Sequence, residues 1–544
     1  MPRSGPAVPI RVSPRGLRSF LVGLSMLTLV AGLALGAAPA SSAPVQARPP
    51  GTARSAAPAV DFNGDSFADL AVLGAGAVHV LYGASTGLTA SGNQRFTRAD
   101  MTAAPPAKNW GFFGLTLTTG DFDADGFCDL AIGDDSAAVN GMREAGAVHV
   151  LYGSARGLST SRSQYWTQNS PAVPGSVEPN DRFGVSLVAA DFGRGNEADL
   201  AVGAPFEAVG SSDVAGTVTV LYGSRGGLTA AGSQILTQNS PGVPGRVESS
   251  DQFGRSLAAG DFDGSGQADL AVGVPMETIG RATVAGGVNI IYGSEQGLAT
   301  AGGRFFSQAT PGMVGRPESE DFFGYNLAAG HLAGQPYADL AVSVINKFGV
   351  RGAVHVMYGT AAGLSAQGNE LLSYKTIDFP KQVRNPTIGD QLEIANFGWD
   401  SAGGEGYDDL AITVSSQDDL GEDVVFEAVF VLYGGSGGVN PAKSQLWSQD
   451  SRGVPGTSEG DGFGGALAGA DFGRPAGQAH FADLAIGSPQ ESLGRFESAG
   501  RVHVLYGSTR GLTATNVQVW DQRGLGRTPA DGSEFGLTIG ASGP

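Results

Sequence analysis

Short runs of apolar and β-branched residues alternate with glycine- and proline-rich turns along almost the whole chain. Residues 199–205 ("DLAVGAP") and 216–223 ("GTVTVLYG") are two such runs. Residues 183–191 ("FGVSLVAAD") precede them, and residues 233–238 ("SQILTQ") follow. Short runs bounded by turn residues are typical of β-strands. The pattern therefore predicts a unit of four strands, which we name A to D in chain order.

This four-strand unit occurs seven times, and strands A, B and C of the unit each contain a characteristic pair of residues. An "FG" pair begins strand A, a "DL" pair opens strand B, and a "YG" pair closes strand C. The "DL" aspartates are Asp69, Asp129, Asp199, Asp269, Asp339, Asp409 and Asp483. Repeated four-stranded antiparallel sheets predict an all-β fold, a seven-bladed β-propeller. An open solenoid or a string of separate units is the alternative.

The two ends of the repeat array are complementary. The first unit starts at Asp61 with no "FG" strand before it, whereas residues 534–540 ("EFGLTIG") follow the last complete unit. We therefore expect the C-terminal strand to join the N-terminal blade and to close the ring. A closed ring leaves fewer unpaired strand edges. The propeller domain is predicted to span residues 60–544.

The N-terminus has the pattern of a secretory signal peptide, assigned to residues 1–43. Four arginines precede an apolar run at residues 20–38, which ends in small residues. Cleavage is expected after Ala40 or Ala43, and a membrane anchor is the alternative. Residues 44–59, rich in proline and alanine, are predicted to be a linker. With no second apolar stretch of spanning length, we expect a secreted, extracellular protein without a membrane span.

The charge of the chain disfavours one class of partner. The formal net charge is −19, and it becomes about −23 once the four leader arginines are removed. Nucleic-acid binding requires basic patches, so we expect no nucleic-acid partner. The single cysteine, Cys128, excludes internal disulfides. We expect a monomer whose partner is an unidentified extracellular protein or glycan.

The markers as a set resemble a known family. The "FG" strand, the aspartate-rich loop and "VGAP" at residues 202–205 are similar to FG-GAP repeats, and the resemblance covers residues 60–541. Such repeats build the N-terminal propeller of integrin α chains and also occur in secreted bacterial proteins. The resemblance implies a seven-bladed propeller with an adhesion-like, extracellular binding role. Integrins bind ligands with a companion β chain, which this sequence does not supply.

Three of the loops between strands A and B have the spacing of a calcium site. Oxygens at positions 1, 3 and 5, a main-chain carbonyl at 7 and a carboxylate at 9 suit the flexible shell of Ca²⁺ better than the rigid octahedron of Mg²⁺. We therefore predict about three Ca²⁺ ions, with capping of turns by acidic side chains as the alternative. The predicted ligands are Asp61, Asn63, Asp65, the Phe67 carbonyl and Asp69 in loop 1; Asp121, Asp123, Asp125, the Phe127 carbonyl and Asp129 in loop 2; and Asp261, Asp263, Ser265, the Gln267 carbonyl and Asp269 in loop 4. Loop 4 has one charge fewer than loop 2, so we expect it to bind more weakly.

The other four A–B loops depart from this pattern and are expected to be metal-free. Loop 3 has Gly193 and Gly195 at ligand positions, with Arg194 between them. Loop 5 begins with His331 and retains only Asp339. Loop 6, residues 396–409, and loop 7, residues 471–483, are longer than the ligand spacing allows.

Catalytic chemistry is not readable in the sequence. Four histidines occupy one position of strand C, which other units fill with Thr219, Asn289 and Phe430, so we interpret it as a packing position. The four are His79, His149, His355 and His503. Residues 83–87 ("GASTG") and 434–438 ("GGSGG") match the hydrolase elbow, but they lie between two strands rather than between a strand and a helix.

The long B–C and D–A loops are predicted to share the face opposite the calcium loops. They contain acidic residues that either contribute to binding or cap turns. These are the pairs Glu178 with Asp181, Glu248 with Asp251 and Glu318 with Asp321; the single residues Glu207, Glu277 and Glu491; and the run Asp418, Asp419, Glu422 and Asp423. We predict a calcium-binding extracellular binding module that is not an enzyme. The alternatives are an extracellular hydrolase or lyase, and a carbohydrate-binding propeller.

Overall fold

The structure is a computed structural model. It describes residues 60–101, 113–334, 336–381, 383, 385–398, 407–417, 424–456, 460–473 and 481–540. Within these residues, 28 strands form seven separate four-stranded antiparallel sheets. The predicted seven-bladed β-propeller is therefore confirmed. The signal peptide and the linker assigned to residues 1–59 lie outside the described residues.

Each blade contains four strands that follow one another in the chain, except the first. Blade 1 consists of β1 (Leu70–Gly74), β2 (Ala77–Tyr82), β3 (Thr89–Phe96) and β28 (Ile539–Gly540). Blade 2 has β4 (Thr116–Gly120), β5 (Asp129–Asp134), β6 (Ala147–Tyr152) and β7 (Ser159–Trp166); blade 3 has β8 (Ser186–Ala190), β9 (Asp199–Ala204), β10 (Thr217–Tyr222) and β11 (Thr229–Leu236). Blade 4 has β12 (Leu257–Gly260), β13 (Asp269–Val274), β14 (Gly287–Tyr292) and β15 (Ala299–Phe306); blade 5 has β16 (Phe323–Gly330), β17 (Asp339–Val344), β18 (Ala353–Tyr358) and β19 (Ser365–Leu372). Blade 6 has β20 (Pro386–Ala395), β21 (Asp409–Gln417), β22 (Val424–Tyr433) and β23 (Asn440–Trp447); blade 7 has β24 (Ala466–Ala470), β25 (Asp483–Ser488), β26 (Arg501–Tyr506) and β27 (Thr513–Trp520).

Helical structure is limited to single turns in the described part of the chain. A 3₁₀ turn spans Arg98–Asp100, and a short helical turn, α1, spans Lys347–Val350. No helix among these residues has the length and apolar character needed to cross a membrane.

The C-terminal strand completes the first blade. Strand β28 pairs antiparallel with β1, and the pairing places Gly540 opposite Ala71 and Ile539 opposite Val72. Phe535, just before β28, is fully buried in the same apolar cluster as Leu70. The predicted closure of the ring is therefore confirmed.

Two strands of blade 3 have bounds that differ from those expected. Strand β8 begins at Ser186 rather than at Phe183, because the "FG" pair forms a turn in which Gly184 has φ of 97°. A residue with a Cβ is strained in this left-handed conformation. Strand β11 begins at Thr229 rather than at residue 233, since the turn after Tyr222 is short.

The core of each blade is formed by its two middle strands. All six residues of β9 and all six of β10 are buried, and the "FG" phenylalanines, Phe183 among them, fill the space beside them. The histidine side chains of strand C pack edge-on against the phenylalanine side chains of the "FG" pairs. The ring centroids of His79 and Phe535 are 5.5 Å apart, and those of His355 and Phe323 are 5.4 Å apart. These contacts confirm the histidines as packing residues.

Neighbouring blades are joined by a repeated pair of hydrogen bonds. The Tyr222 hydroxyl accepts from the Leu298 main-chain N–H at 3.1 Å, and the Gln234 side-chain amide donates to the Leu298 carbonyl at 3.1 Å. Between blades 4 and 5 an arginine, Arg304, donates to the carbonyl of Leu364 instead. The glutamine bond also joins Gln94 to Leu158, Gln164 to Leu228, Gln445 to Leu512 and Gln518 to Leu88.

Candidate metal sites

The first aspartate of each candidate loop organises the loop backbone. In loop 1, Asp61 Oδ1 accepts from the Gly64 N–H at 2.6 Å, and Oδ2 accepts from the Ser66 N–H at 2.6 Å. Asp261 in loop 4 accepts equivalent bonds, and Asp121 in loop 2 accepts from the N–H groups of Asp125 and Gly126. The loops are further fixed at position 2 by fully buried phenylalanines, Phe62, Phe122 and Phe262. The backbone thus holds the acidic side chains close together before any ligand binds.

Loops 2 and 4 each bring three carboxylates together. One oxygen from each of Asp121, Asp123 and Asp129 lies within 4.8 Å of the other two, and Asp261, Asp263 and Asp269 form the same arrangement. Burial, with repulsion from neighbouring carboxylates, raises the pKa of Asp129 and of Asp269 to about 8. A cation among these oxygens would favour their ionised forms. Positions 1, 3 and 9 therefore form clusters that could hold a metal ion.

Loop 2 has a carboxylate oxygen that lacks a partner. Asp123 is only 4% exposed; its Oδ2 accepts from the Arg162 guanidinium at 2.7 Å, while Oδ1 is buried without a hydrogen-bond partner. Buried polar atoms normally have partners, so this oxygen fits the ligand shell of a hard cation. Because Arg162 neutralises part of the charge of loop 2, the expected difference in affinity between loops 2 and 4 becomes smaller.

The other predicted ligand positions contact the loop backbone. Asp65 Oδ1 accepts from the Phe67 N–H at 3.0 Å, and Asp125 Oδ1 accepts from the Phe127 N–H at 3.0 Å. In loop 4, the Ser265 hydroxyl lies 3.4 Å from the Gln267 carbonyl oxygen. The side chain at position 5 thus contacts the main chain of position 7, and it is not part of the three-carboxylate clusters.

Loop 1 differs at position 3, where an amide replaces a carboxylate. The Asn63 side-chain oxygen accepts from the Asp65 N–H at 2.9 Å, and its amide nitrogen donates to Asp65 Oδ2 at 3.1 Å. Asp69 remains fully buried at position 9, and burial raises its pKa to about 8. Loop 1 therefore offers an amide oxygen in place of one of the carboxylates of loop 2.

The aspartate at position 9 has a structural role that the sequence analysis missed. In loop 3, which lacks most of the ligand positions, Asp199 accepts from the Phe192 N–H at 2.9 Å and from the Gly223 N–H at 2.8 Å. A corresponding pair of bonds ties the A–B loop to the "YG" turn in every blade, although in blade 5 the loop donor is the Ala333 N–H at the third loop position. The other acceptors are Asp69, Asp129, Asp269, Asp339, Asp409 and Asp483. The signal was present in the sequence, because this aspartate is retained where the other ligands are lost.

The remaining loops contain basic or polar contacts at the ligand positions. In loop 3, Arg194 lies over the Tyr222 ring at 3.9 Å from its centroid and donates to the Gln296 carbonyl at 2.7 Å. In loop 5, the His331 main-chain N–H donates to Asp408 at 2.7 Å. Residues 399–406 of loop 6 and 474–480 of loop 7 lie outside the described residues. That these four loops are metal-free stays a prediction.

On the opposite face, the aspartate two residues before the "FG" pair caps a turn in blades 3, 4 and 5. Asp181 Oδ2 accepts from the Glu178 N–H at 2.6 Å, and Asp251 and Asp321 repeat this bond with Glu248 and Glu318. The capping interpretation is therefore confirmed for these aspartates. The acidic run of blade 6, Asp418, Asp419, Glu422 and Asp423, lies outside the described residues.

Comparisons with known proteins identify the repeat. The family model described as "FG-GAP repeat" matches residues 52–81 and 253–291. Among curated proteins, phosphatidylinositol-glycan-specific phospholipase D of Mus musculus is 32% identical over 171 residues, which are 31% of this chain and 19% of that protein. Integrin alpha-7 of Homo sapiens is 32% identical over 169 residues, which are 30% of this chain and 12% of that protein. Integrin alpha-PS2 of Drosophila melanogaster is 32% identical over 170 residues, which are 30% of this chain and 11% of that protein.

The similarity to these relatives is partial, and the similarity to solved structures is remote. The chain spans less than a fifth of the length of each of these relatives. The exotype rhamnogalacturonan lyase YesX aligns with a TM-score of 0.35 and 13% identity over 79% of this chain and 70% of that one, a likeness too weak to bear on function. The chain therefore contains FG-GAP repeats and forms an integrin-like seven-bladed propeller.

Proposed function

We propose that the mature chain is a secreted, calcium-binding FG-GAP propeller that acts as an extracellular binding module of the adhesion type. The observation that carries the calcium part is the convergence of Asp121, Asp123 and Asp129, with a buried carboxylate oxygen that has no partner. Loops 1, 2 and 4 would each hold one Ca²⁺ through carboxylate, amide, hydroxyl and main-chain oxygens. Bound Ca²⁺ would neutralise the loops and stabilise the blades.

The proposed partner is an extracellular protein or glycan, and the proposed binding face is that of the long B–C and D–A loops. Rigid scaffolds commonly present binding residues on such loops. The calcium-side loops of blades 1 to 5 are short and equal in length, whereas the opposite loops are long and differ between blades. The acidic run at residues 418–423 favours a basic or cation-bridged partner, whose association would weaken with added salt.

An enzymatic function is the second candidate, because one relative is named phosphatidylinositol-glycan-specific phospholipase D. The matched stretch covers only 19% of that relative. Two features of this chain favour the binding module. The strand C histidines serve packing, and the serine motifs at residues 83–87 and 434–438 lie in turns between two strands.

The test uses the mature protein, residues 44–544, loaded with calcium and applied to a glycan array and to immobilised extracellular matrix proteins. Calorimetry with calcium alone first counts the ions, and about three are expected from the hairpin loops. One variant then neutralises Asp418, Asp419, Glu422 and Asp423, and a second neutralises the aspartates of loop 2. Binding should fall in the first variant with stability retained, while the second should mainly lose stability.

Two results would reject this assignment. Loss of binding only in the loop 2 variant would place the binding site on the calcium face. Turnover of a phosphodiester, ester or glycan by the calcium-loaded protein would favour the enzyme.

A further inference from the structure

One position on the long-loop face is acidic in three blades and basic in another. It lies eight residues after the "DL" aspartate, just beyond strand B. Glu207, Glu277 and Glu491 occupy it in blades 3, 4 and 7, and Lys347 occupies it in blade 5. Lys347 is among the most deeply buried side chains described, with 2% of its surface exposed.

The ammonium group of Lys347 is enclosed by oxygens of the D–A loop. Its Nζ lies 2.8 Å from Asp321 Oδ2, 2.7 Å from the Arg316 carbonyl and 3.2 Å from Glu318 Oε2, and the side-chain amide of Gln308 is 3.4 Å away. Blade 5 therefore contains a cation-binding cradle in which the cation belongs to the protein itself.

Blades 3 and 4 keep the acidic residues of this cradle but lack the lysine. In blade 3, Asp181 and Glu178 correspond to Asp321 and Glu318, and Asp181 caps the loop with the same bond. In place of the lysine stands Glu207, a further carboxylate. Blade 4 repeats the arrangement with Asp251, Glu248 and Glu277.

The inner acidic groups of these two cradles lie without a basic partner. Asp181 and Asp251 are each 2% exposed and Glu207 is 5% exposed. No ion pair between described residues joins a lysine or arginine to Asp181, Glu207, Asp251 or Glu277. Burial, with repulsion between the neighbouring acids, raises the pKa of Glu207 and of Asp251 to about 8. An uncompensated buried charge is strongly destabilising.

A second feature of the same cradles is an orphaned amide oxygen. Gln168 donates its amide nitrogen to Glu207, and Gln238 donates its amide nitrogen to Glu277 at 2.6 Å. Both glutamines are 2% exposed, and the Oε1 of each is buried without a hydrogen-bond partner, as is the Oε1 of Gln449 beside Glu491 in blade 7. Each cradle therefore has, beside its carboxylates, an unused neutral oxygen of the kind that binds hard cations.

Blade 7 shows how the protein balances the same glutamate where a base is available. The Arg501 guanidinium lies 2.6 Å from Glu491 Oε1. Blades 5 and 7 thus each supply a cation to this position, whereas blades 3 and 4 do not.

We propose that blades 3 and 4 each bind a divalent cation of the calcium class on the long-loop face, at the place that the Lys347 ammonium occupies in blade 5. Asp181 and Glu207, with Glu178 at the exposed rim, would hold it in blade 3. Asp251 and Glu277, with Glu248, would hold it in blade 4. These two sites are separate from the hairpin loops, and the proposal does not rest on the proposed binding of a partner.

The test counts ions with calcium alone and locates them with terbium. Calorimetry on the mature protein should give two ions more than the hairpin loops account for. Glu207→Gln and Glu277→Gln should each remove one ion, and the double variant should remove two. Glu491→Gln is the matched control, because Arg501 already balances that position, and its ion count should equal that of the wild type. Anomalous peaks from terbium-soaked crystals should lie beside Glu207 and Glu277.

Stability separates loss of a site from loss of the fold. In chelator, Glu207→Gln should melt at or above the wild-type temperature, since it removes one repelling charge; in millimolar calcium the order should reverse. Lys347→Glu should add one ion by converting the blade 5 cradle. An unchanged ion count in both glutamine variants, with terbium peaks confined to the hairpin loops, would overturn the proposal and indicate that the acids are held neutral by protons. Failure of hairpin variants such as Asp123→Asn to lose an ion would instead contradict only the proposed function.

Discussion

The side-chain amide of Gln518 donates a hydrogen bond to the carbonyl of Leu88, 430 residues earlier in the chain, at 3.0 Å. Gln234 makes the same bond to Leu298 between two consecutive blades. The last and first blades are therefore joined by the interaction that joins internal blades. The effect of a substitution near the chain ends on the free energy of unfolding can therefore be compared directly with that of the equivalent substitution in an internal blade.

Closure of the ring predicts that a buried residue near the C-terminus stabilises the fold as much as its counterpart in an internal blade. Phe535→Ala and Phe253→Ala each remove a fully buried phenylalanine at the same place in the repeat. Each should lower the free energy of unfolding by about 3–5 kcal/mol, as measured by denaturant titration. A cost below about 1 kcal/mol for Phe535→Ala alone would mean that the C-terminal strand is not docked.

A truncation tests the same closure at the level of the blade. Deleting residues 530–544 removes Phe535 and strand β28, and so exposes the edge of β1. We expect aggregation or a large fall in melting temperature, because an unpaired edge strand recruits other chains. If the truncated protein melts like the intact one, the shared blade contributes nothing to stability.

The hairpin calcium sites predict a loss that is specific to one loop. Asp123→Asn should remove one ion in calorimetry, and calcium should raise the melting temperature of this variant less than that of the wild type. At a calcium concentration of about 100 times Kd, the lost stabilisation would be about 2.7 kcal/mol.

The matched control for this variant comes from loop 5. Ala333→Ser changes a loop without the ligand set and should remove no ion. Gly193 of loop 3, where the sequence also lacks a ligand, is unsuitable as a control: its φ is 112°, and a Cβ there would lie 1.7 Å from the Ser294 carbonyl oxygen. An equal ion count for wild type and Asp123→Asn would contradict the assignment of loop 2.

The structural bonds of position 9 predict a large destabilisation that needs no metal. Asp199→Ala leaves the N–H groups of Phe192 and Gly223 without their acceptor, at a cost of about 2–6 kcal/mol for two buried donors. Its ion count should be unchanged, whereas Asp129→Ala should lose stability and one ion together. Measuring both variants in chelator should bring their stabilities close to each other.

The buried histidines predict sensitivity to acid. Burial lowers the pKa of His355 to about 4 from its usual value near 6.5. The unfolded chain therefore binds a proton between pH 6.5 and 4 that the folded chain excludes, so stability falls as the pH falls through this window. The full contribution of one such group is on the order of 3 kcal/mol.

The variant that tests this uses a residue that the protein itself places at the same position. His355→Asn, which copies Asn289 of blade 4, should reduce the dependence of stability on pH between 6.5 and 4 by about one proton. Denaturant titrations at several pH values, compared between wild type and variant, measure the difference. An identical pH dependence would mean that the pKa of His355 is the same in the folded and the unfolded chain.

The repeat made most of the fold predictable from the sequence. The "DL" and "YG" pairs lie at strand B and strand C in every blade. The aspartate binds two backbone N–H groups, and in blades 2, 3, 5 and 6 the tyrosine hydroxyl bonds to the next blade. The start of strand A was less predictable, since "FG" forms a turn in blade 3. Strand propensity does not distinguish a buried turn from a buried strand.

The candidate sites were predictable only in part. Spacing identified the aspartates of loops 1, 2 and 4, but the contact of Arg162 with Asp123 depends on how strand D lies beside the loop, 39 residues away. The exchange of Glu207 for Lys347 was visible in the register of the repeats. Its meaning required the structure, because only there do the oxygens around the lysine become apparent.

The pairing of β28 with β1 sets an order of events during synthesis. Blades 2 to 7 each contain strands that emerge consecutively, whereas the first blade waits for residues 539 and 540. The opening strands of the chain must therefore stay unaggregated until translation is nearly complete, and the final step is a contact between the most distant parts of the sequence. Contacts of such long range form slowly. Folding of this ring should be limited by its closure rather than by the formation of any single blade.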